Sequence, residues 1–251
     1  MLQAGNGASG DTFSGGTVHT LRMTTAPATA AEVRRISYFA CLSESEAARF
    51  AAELVPKSYA AREQVITIGE RTPGFFCLRS GKARIFRTGS DGREQTMRLV
   101  APGDTFGEVP VFDGSPAPAS VEALEPCEVL LVPSMAFFAL VERCPEVSFV
   151  MLRHLARRLR GFTELIEQIS LQSVPARLAR YLYQLAREEG QSTKEGIVVP
   201  RELTQQDLAS VVGSVREVVS RTLRVMEDDG VVEVRRKEIL IRDLDALQRM
   251  V

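Results

Sequence analysis

The sequence predicts an α+β fold with three parts: an N-terminal antiparallel β-sandwich or jelly roll, a long helix, and a C-terminal winged helix-turn-helix. Short apolar runs separated by Gly-bearing turns lie between residues 57 and 132, which is the pattern of an antiparallel sandwich. Apolar residues then recur at spacings of three and four between residues 145 and 171. Two short helical patterns joined at Gly213 follow, with a hairpin pattern behind them.

The composition is that of a globular protein. The chain has 251 residues, a formal net charge of −1, 45% hydrophobic residues and 25% charged residues, which is an ordinary globular profile. Because the net charge is near zero, any attraction to nucleic acid must come from a local patch. No apolar run is long enough for a transmembrane helix, and no secretory signal is read. We therefore expect a cytoplasmic protein with no membrane partner.

Residue types that carry metal or catalytic chemistry are scarce. The four cysteines form no CxxC pair, which argues against zinc sites, iron–sulfur clusters and disulfide frameworks. The chain has two histidines and shows no Ser–His constellation, no paired catalytic carboxylates and no Gly-rich P-loop. The sequence therefore predicts a protein that is not an enzyme. The cysteines are Cys41, Cys77, Cys127 and Cys144.

Local signals place the elements of the predicted N-terminal domain, residues 32–144. Residues 1–31 are rich in Gly, Ala, Ser and Thr, so we expect a disordered tail, with order beginning near Val33. Ser43 and Glu46 have the spacing of a capping box and predict a helix. Asp91-Gly92 between two apolar runs predicts a hairpin. The predicted strands cover residues 65–68, 74–78, 83–87, 94–100, 120–124 and 128–132.

Helical spacing returns after Pro133. We expect a short helix over residues 134–141 and a long one over residues 145–171, about 37 Å long at 1.5 Å per residue. Its apolar seam indicates a dimerisation helix, and the alternative is a helix packed only on its own domain. The seam residues are Leu155, Leu159, Phe162, Ile166 and Ile169. A helix from Pro175 to Ala186, a loop over 191–196 and a strand over 197–199 follow.

Residues 172–251 form the predicted helix-turn-helix domain. Thr204 and Asp207 indicate the start of its first helix, and Gly213 supplies a turn residue that tolerates positive φ. Ser214 is expected to open the second helix. Strands over 231–234 and 238–241 form the wing, joined by residues 235–237 (RRK). The expected buried positions are Leu208, Val211, Val212, Val218, Leu223 and Met226.

The second helix carries side chains suited to base contacts. Positions three and four apart share a helix face, which groups Arg216, Glu217, Ser220 and Arg221. Arginine matches the two acceptors of guanine, and glutamate accepts from the cytosine amino group. The first helix begins with Thr204, Gln205 and Gln206, which we expect to bind phosphates. In the alternative interpretation, Glu217 closes a capping box with Ser214 and Arg221 is a solvated charge.

The order of sandwich, long helix and winged helix-turn-helix resembles the CRP/FNR family of transcription regulators over about residues 33–245. Residues 102–108 (PGDTFGE) resemble the entrance of that family's phosphate-binding cassette, and residues 203–209 and 213–221 resemble its DNA-contacting unit. The resemblance implies a cyclic-nucleotide-binding-like sensor domain, a homodimer and RNA polymerase as a partner. It also implies a palindrome with TTGTGA-like half-sites contacted by Arg216, Glu217 and Arg221.

The effector region departs from the cyclic-AMP-binding members. Those members carry an Arg-Ser pair where this chain has Ala117 and Pro118. A cyclic phosphate without that arginine loses a charge-assisted contact, so cyclic AMP is disfavoured as the effector. The implied effector pocket consists of Phe106, Gly107, Glu108, Ala117 and Pro118.

Residues 116–119 (PAPA) and the basic helix 155–160 resemble the DNR and HcpR branches, which are associated with haem and NO. That resemblance makes His154 a haem-ligand hypothesis, since a neutral imidazole can bind haem iron. In the alternative interpretation, His154 is a partly exposed helix residue among arginines. A separate functional alternative is a cyclic-nucleotide-binding-like module that acts through protein contacts without specific DNA binding.

Overall fold

The computed structural model describes residues 26–201 and 203–251. Most of the tail expected at residues 1–31 lies outside the described residues, but its last part does not. A capping box between Thr29 and Glu32 opens helix α1 (Ala30–Arg35). Arg79 fixes this segment by donating to the carbonyl oxygen of Ala26 at 2.8 Å and pairing with Glu32 at 3.0 Å. The described contacts therefore begin before Val33, where the sequence predicted order to begin.

Two four-stranded antiparallel sheets form the predicted sandwich, in the orders β1-β8-β3-β6 and β2-β7-β4-β5. The sequence of strand β3 shows no polar alternation because both of its faces are buried. Phe75 and Cys77 face a core under the helices, while Phe76 and Leu78 face the sandwich interior. The strands are β1 (Val55–Tyr59), β2 (Gln64–Ile66), β3 (Gly74–Ser80), β4 (Ala83–Thr88), β5 (Glu94–Val100), β6 (Thr105–Phe106), β7 (Ser120–Ala123) and β8 (Cys127–Pro133).

The hairpin predicted at Asp91-Gly92 is confirmed, and it joins β4 to β5 with Gly92 at φ +77°. The helix predicted after Ser43 is also confirmed, since the Ser43 hydroxyl accepts from the Glu46 amide at 3.2 Å. Strands β1 and β6 and helices α1 and α3 were not predicted. Besides α1, the helices of this half are α2 (Glu44–Ala51), α3 (Val109–Asp113), α4 (Ser134–Arg143) and α5 (Glu146–Leu171).

Helix α5 is the predicted long helix, with 26 residues. Its first turns are anchored through Val147 and Met151, which are buried in the aromatic core of the sandwich half. Leu155 also packs against that core, so it belongs to its own domain and not to the free face. On another face the helix leaves a row of apolar side chains in solvent. That row is Leu152, Leu159, Phe162, Ile166 and Ile169, at exposures of 60%, 68%, 39%, 66% and 42%.

The C-terminal half has its own core and its own sheet, in the order β11-β12-β10-β9. The loop expected over residues 191–196 is wrong in part, because residues 191–193 pair with β10 as an edge strand. The elements are α6 (Val174–Glu189), β9 (Gln191–Thr193), β10 (Gly196–Pro200), α7 (Gln205–Val212), α8 (Arg216–Asp228), β11 (Val232–Val234), β12 (Glu238–Ile241) and α9 (Leu244–Arg249).

Two details of the helix-turn-helix differ from the prediction. Helix α8 begins at Arg216 and not at Ser214, because Val215 is extended at φ −110° and ψ 153°. Val219 is fully buried, whereas Val218, which was expected to be buried, is only half-buried. Leu223 and Met226 are buried as expected. The wing is confirmed as the antiparallel pair β11–β12.

Candidate nucleic-acid interface

Helix α8 has one buried face and one exposed face. Val219, Thr222, Leu223 and Met226 are buried against the C-terminal core, which fixes the rotation of the helix. The opposite face and Gln205 of α7 form a surface depression of about 320 Å³. The structure therefore brings together five of the predicted DNA-contacting residues. The depression is lined by Gln205, Arg216, Glu217, Ser220, Arg221 and Arg224.

Arg224 lines the same depression, and the sequence reasoning did not include it. It lies three positions after Arg221 and four after Ser220, so the same spacing rule would have found it. With it, the depression carries three arginines and one glutamate. This local positive charge contrasts with the net charge of −1 for the whole chain. It supplies the patch that attraction to a polyanion requires.

The turn between α7 and α8 is held from three sides. Gly213 adopts φ +67°, which L-residues rarely adopt. Arg177 of α6 donates from Nε to the Val212 carbonyl oxygen at 2.6 Å and from Nη2 to the Gly213 carbonyl oxygen at 3.1 Å. The space beside the turn is filled, because a Cβ on Gly213 would lie 2.5 Å from Oε1 of Gln95.

The expected phosphate contacts of α7 divide into two groups. The Thr204 hydroxyl donates to Oδ2 of Asp207 at 2.6 Å and accepts from the Asp207 amide at 3.2 Å, so its proton is already used in a capping box. The hydroxyl therefore positions the helix instead of donating to a phosphate. Gln205 lines the depression, whereas Gln206 is exposed on α7 outside it.

The wing offers fewer cations than its sequence indicates. Arg235 pairs with Glu233 at 2.8 Å, with Glu195 at 2.9 Å and with Glu238 at 3.1 Å. These carboxylates neutralise its guanidinium. The remaining exposed cations of the turn are Arg236 and Lys237.

The buried side of α7 docks on the sandwich through a set of charged and polar residues that we call the junction cluster. Arg62 donates to both carboxylate oxygens of Asp207, at 2.7 and 2.6 Å. Arg84 donates to Oε2 of Glu122 and also to the Ser210 hydroxyl at 3.3 Å. Because Asp207 and Ser210 lie on α7, the cluster couples the sandwich to the helix-turn-helix. Its members are Arg62, Arg84, Thr96, Glu122, Asp207 and Ser210.

The predicted effector pocket is organised around Glu108, which is 3% exposed. Arg158 of α5 pairs with its Oε1 at 2.7 Å, and the Tyr38 hydroxyl donates to the same oxygen at 3.1 Å. Burial and the Glu108 carboxylate raise the pKa of Tyr38 far above its ordinary value. Arg158 also donates to the carbonyl oxygen of Thr105 at 2.6 Å. The long helix thus supplies the cation that holds the pocket carboxylate.

The other predicted pocket residues do not all meet Glu108. Phe106 is fully buried and stacks on Phe76 at 5.4 Å. Gly107 adopts φ +80°, and a Cβ there would lie 2.7 Å from Ile66. Ala117 is buried in the core of the sandwich, whereas Pro118 is exposed to solvent.

His154 lies beside this pocket, with its ring 5.1 Å from the Tyr38 ring in edge-on contact. Burial lowers the pKa of His154, and Arg157 and Arg158 lower it further. Both effects favour the uncharged imidazole, and its contact with Tyr38 gives it a packing role. The haem-ligand prediction gains no support from this geometry.

Within residues 26–201 and 203–251, the structure describes the candidate metal ligands, the cysteine thiols and the long helices. No group of three or more His, Cys, Asp or Glu side chains in these ranges is placed to hold a metal ion. Burial raises the pKa of the Cys77 thiol, which makes it a poor nucleophile. No helix in the same ranges is long and apolar enough to cross a membrane.

Comparison with known proteins gives two matches to family models. Residues 56–144 match the cyclic nucleotide-binding domain, and residues 176–250 match the Crp-like helix-turn-helix domain. The chain is 31% identical over 215 residues to a CRP-like cAMP-activated global transcriptional regulator of Mycobacterium tuberculosis, covering 86% of this chain and 96% of that protein. It is also 31% identical to a cyclic AMP receptor protein of Thermus thermophilus, covering 72% of this chain and 81% of that one.

A solved structure gives the same result. A transcriptional regulator of the CRP family from Thermus thermophilus superposes with a TM-score of 0.64 at 29% identity, covering 77% of this chain and 95% of that one. None of these matches separates out the DNR or HcpR branch, so that assignment stays a prediction.

Proposed function

The chain belongs to the CRP/FNR family of transcription regulators, and we propose that it acts as a homodimer that binds a palindromic DNA site under the control of an effector. The observation that carries this proposal is the exposed face of α8, where Arg216, Glu217 and Arg221 project together from a helix whose other face is buried. The alternative of a module without DNA binding is not favoured, because the chain contains a family helix-turn-helix.

Base contacts follow from the chemistry of these side chains. An arginine can bind the O6 and N7 acceptors of guanine together, and a glutamate can accept from the amino group of cytosine. Arg221 lies near the middle of the exposed face, with Arg216 and Glu217 at the first turn of the helix. Since the N-terminal residues of a recognition helix contact base edges in the major groove, and Arg221 lies one turn after Arg216 and Glu217 on the same face, these three residues are assigned to bases. Gln205, Arg236 and Lys237 are assigned to phosphates.

The proposed homodimer uses the exposed apolar row of α5. Its members Leu159, Phe162, Ile166 and Ile169 follow spacings of three and four, which is the seam of a coiled coil. A second copy of the helix would remove this row from water, at about 25 cal/mol for each Å² buried. Pairing two copies places two recognition helices for half-sites about one helical turn apart.

The effector is proposed to be a molecule other than cyclic AMP. The residues present do not fit the cyclic phosphate, because Ala117 supplies no charge and is itself part of the apolar core. The Glu108 carboxylate already has Arg158 and Tyr38 as partners. An effector that competes for either partner would change the position of α5, and only such a difference in contacts can shift the population.

The experiment is a selection of bound duplexes from a randomised library by the full-length protein. The proposal predicts an inverted repeat with TTGTGA-like arms and a steep fall of affinity with salt. The Arg221→Ala variant is tested beside the wild type. Its matched control is Arg49→Ala, which also removes one exposed arginine, but from α2 of the sandwich. Selection of no common sequence, with or without added ligands, would contradict the proposal.

A further inference from the structure

A cavity of about 140 Å³ lies where the sandwich and the helix-turn-helix half meet. Strand β5 forms one wall, the end of α5 forms another, and α6 with the end of α7 closes the rest. Neither half forms this cavity alone. Glu108 and its partners Tyr38 and Arg158 do not line it, but Arg98 of its wall donates to the same Thr105 carbonyl oxygen as Arg158.

The cavity has an excess of positive charge. Arg98, Arg177 and Arg180 line it, and its lining contains no Asp or Glu among residues 26–201 and 203–251. Among the same residues Arg177 donates only to backbone carbonyls, such as that of Gln172 at 2.7 Å, so its hydrogen bonds are made but its charge is not neutralised. Arg98 is offset in part by Asp104 at 3.6 Å. The balance of the site is therefore cationic.

Arg180 is the least satisfied of the three. Its Nε atom is buried and has no hydrogen-bond partner, and its guanidinium has no carboxylate partner within the part of the chain that the structure describes. An unpaired buried donor, above all a charged one, is unfavourable unless a partner is supplied. A small anion in the cavity would supply that partner and would also neutralise Arg177.

We propose that this junction cavity binds a small oxyanion, either inorganic phosphate or the phosphate group of a phosphomonoester, between Arg177 and Arg180. Guanidinium groups bind phosphate oxygens with strong charge-assisted hydrogen bonds. The side-chain amides of Gln168 and Gln184 offer further donors, and Leu165 gives an apolar wall that suits a short organic substituent.

Because of the position of the site, a bound anion would affect how firmly the two halves of the chain are held together. Strand β5 belongs to the sandwich, whereas α6 and α7 carry the helix-turn-helix. Arg177 and Arg180 both lie on α6, so the anion links the two halves through the other lining side chains, Arg98 of β5 and Gln168 of α5. Through those contacts it stabilises the docked arrangement relative to any arrangement in which the halves separate. This consequence does not depend on what α8 binds, so the site can be tested without DNA.

The test is calorimetric titration of the full-length protein with inorganic phosphate and, separately, with phenyl phosphate, at constant ionic strength. Arg180→Gln is compared with Arg187→Gln, which removes an exposed arginine from the same helix. Arg180→Lys keeps the charge and checks that the site still folds. Wild type and Arg187→Gln should bind alike, and Arg180→Gln should lose about tenfold in affinity, as expected for one charge-assisted hydrogen bond.

Tighter binding of phenyl phosphate than of phosphate would assign the site to a phosphomonoester, and the reverse would assign it to the free ion. Equal binding by Arg180→Gln and wild type would overturn the proposal, because the anion would then lie elsewhere. Failure of wild type to bind either anion at millimolar concentration would also overturn it. Neither result bears on DNA binding, so failure here and failure of the proposed function are distinguishable.

Discussion

Substitution of Arg62 by alanine should weaken the contact between the two halves of the chain. The guanidinium forms a bidentate pair with Asp207 at 2.7 and 2.6 Å, and it lies 3.5 Å from Glu122. The Asp207 side chain is 4% exposed and that of Arg62 is 45% exposed. Exposed pairs contribute about 0–1 kcal/mol, whereas breaking a buried pair costs about 3–5 kcal/mol, so this half-buried pair should contribute about 2 kcal/mol.

A double-mutant cycle isolates that coupling. Asp207 also caps α7 through Thr204, so the stability lost in Asp207→Asn alone is larger than the contribution of the Arg62–Asp207 pair. The free energy of unfolding is measured in urea for wild type, Arg62→Ala, Asp207→Asn and the double variant. The capping contribution of Asp207 is present in both halves of the cycle, so it cancels from the coupling free energy. Arg62 has φ +69°, a conformation that glycine would adopt without strain. Alanine is chosen as the replacement because it keeps the backbone strain of the wild type, so the strain does not change the measured stability. A coupling free energy below about 0.5 kcal/mol would refute the interpretation of the junction cluster.

The pH dependence gives an independent check of the same pair. Burial would raise the pKa of Asp207, but hydrogen bonds from Arg62 and Thr204 outweigh it and the pKa is lowered overall. A lowered folded pKa gives stability that is present above the unfolded value of about 3.9 and is lost as pH falls through the folded pKa. The gap in stability between wild type and Arg62→Ala should therefore be constant near neutral pH and shrink below about pH 4. If the difference in unfolding free energy between wild type and Arg62→Ala stayed the same below about pH 4, the assignment of that stability to the Arg62–Asp207 pair would be contradicted.

Three further predictions concern the dimer, the turn and haem. Ile166→Glu places a charge in the exposed apolar row of α5 and should shift the protein from dimer to monomer in sedimentation velocity; an unchanged dimer would rule out that row as the interface. Gly213→Ala should cost about 1–2 kcal/mol from positive φ, plus about 1 kcal/mol for displacing the Gln95–Ser210 hydrogen bond. The control Gly92→Ala also has a positive φ, but it has open space beside it, so in urea unfolding it should lose only the contribution from φ. Equal losses of unfolding free energy in the two variants would contradict the close packing at Gly213. Haem added to the protein should give no Soret band that depends on His154, whereas a band lost in His154→Ala would restore that residue as a ligand.

Local signals in the sequence were sufficient for the elements that create the α8 face. The Thr204–Asp207 cap, the αL residue Gly213 and the hairpin at Asp91-Gly92 each depend on residues within four positions of one another. Such contacts form from nearest neighbours, so spacing rules predict them. The start of α8 was misplaced by two residues because its N-cap residue, the extended Val215, makes no side-chain capping hydrogen bond that would mark it.

Contacts between distant parts of the chain could not be predicted from spacing. Arg62 and Asp207 are 145 residues apart, and Arg158 and Thr105 are 53 apart. Nothing local marks Arg62 as a partner of α7, or Arg158 as the cation that holds Glu108. The exposure of Pro118 and burial of Ala117 likewise depend on how the loop before β7 folds onto the sandwich. The effector region was therefore the part least accessible to sequence reasoning.

The measurement that tests the central claim most directly is the base preference of Arg221→Ala. Duplexes that vary one base pair at a time within the selected half-site are titrated with wild type, Arg221→Ala and the control Arg49→Ala. If Arg221 contacts a base, the variant loses about 1–3 kcal/mol of discrimination at one pair in each half-site and keeps the other preferences. Uniformly weaker binding with every preference intact would show that the α8 face does not contact bases through this residue.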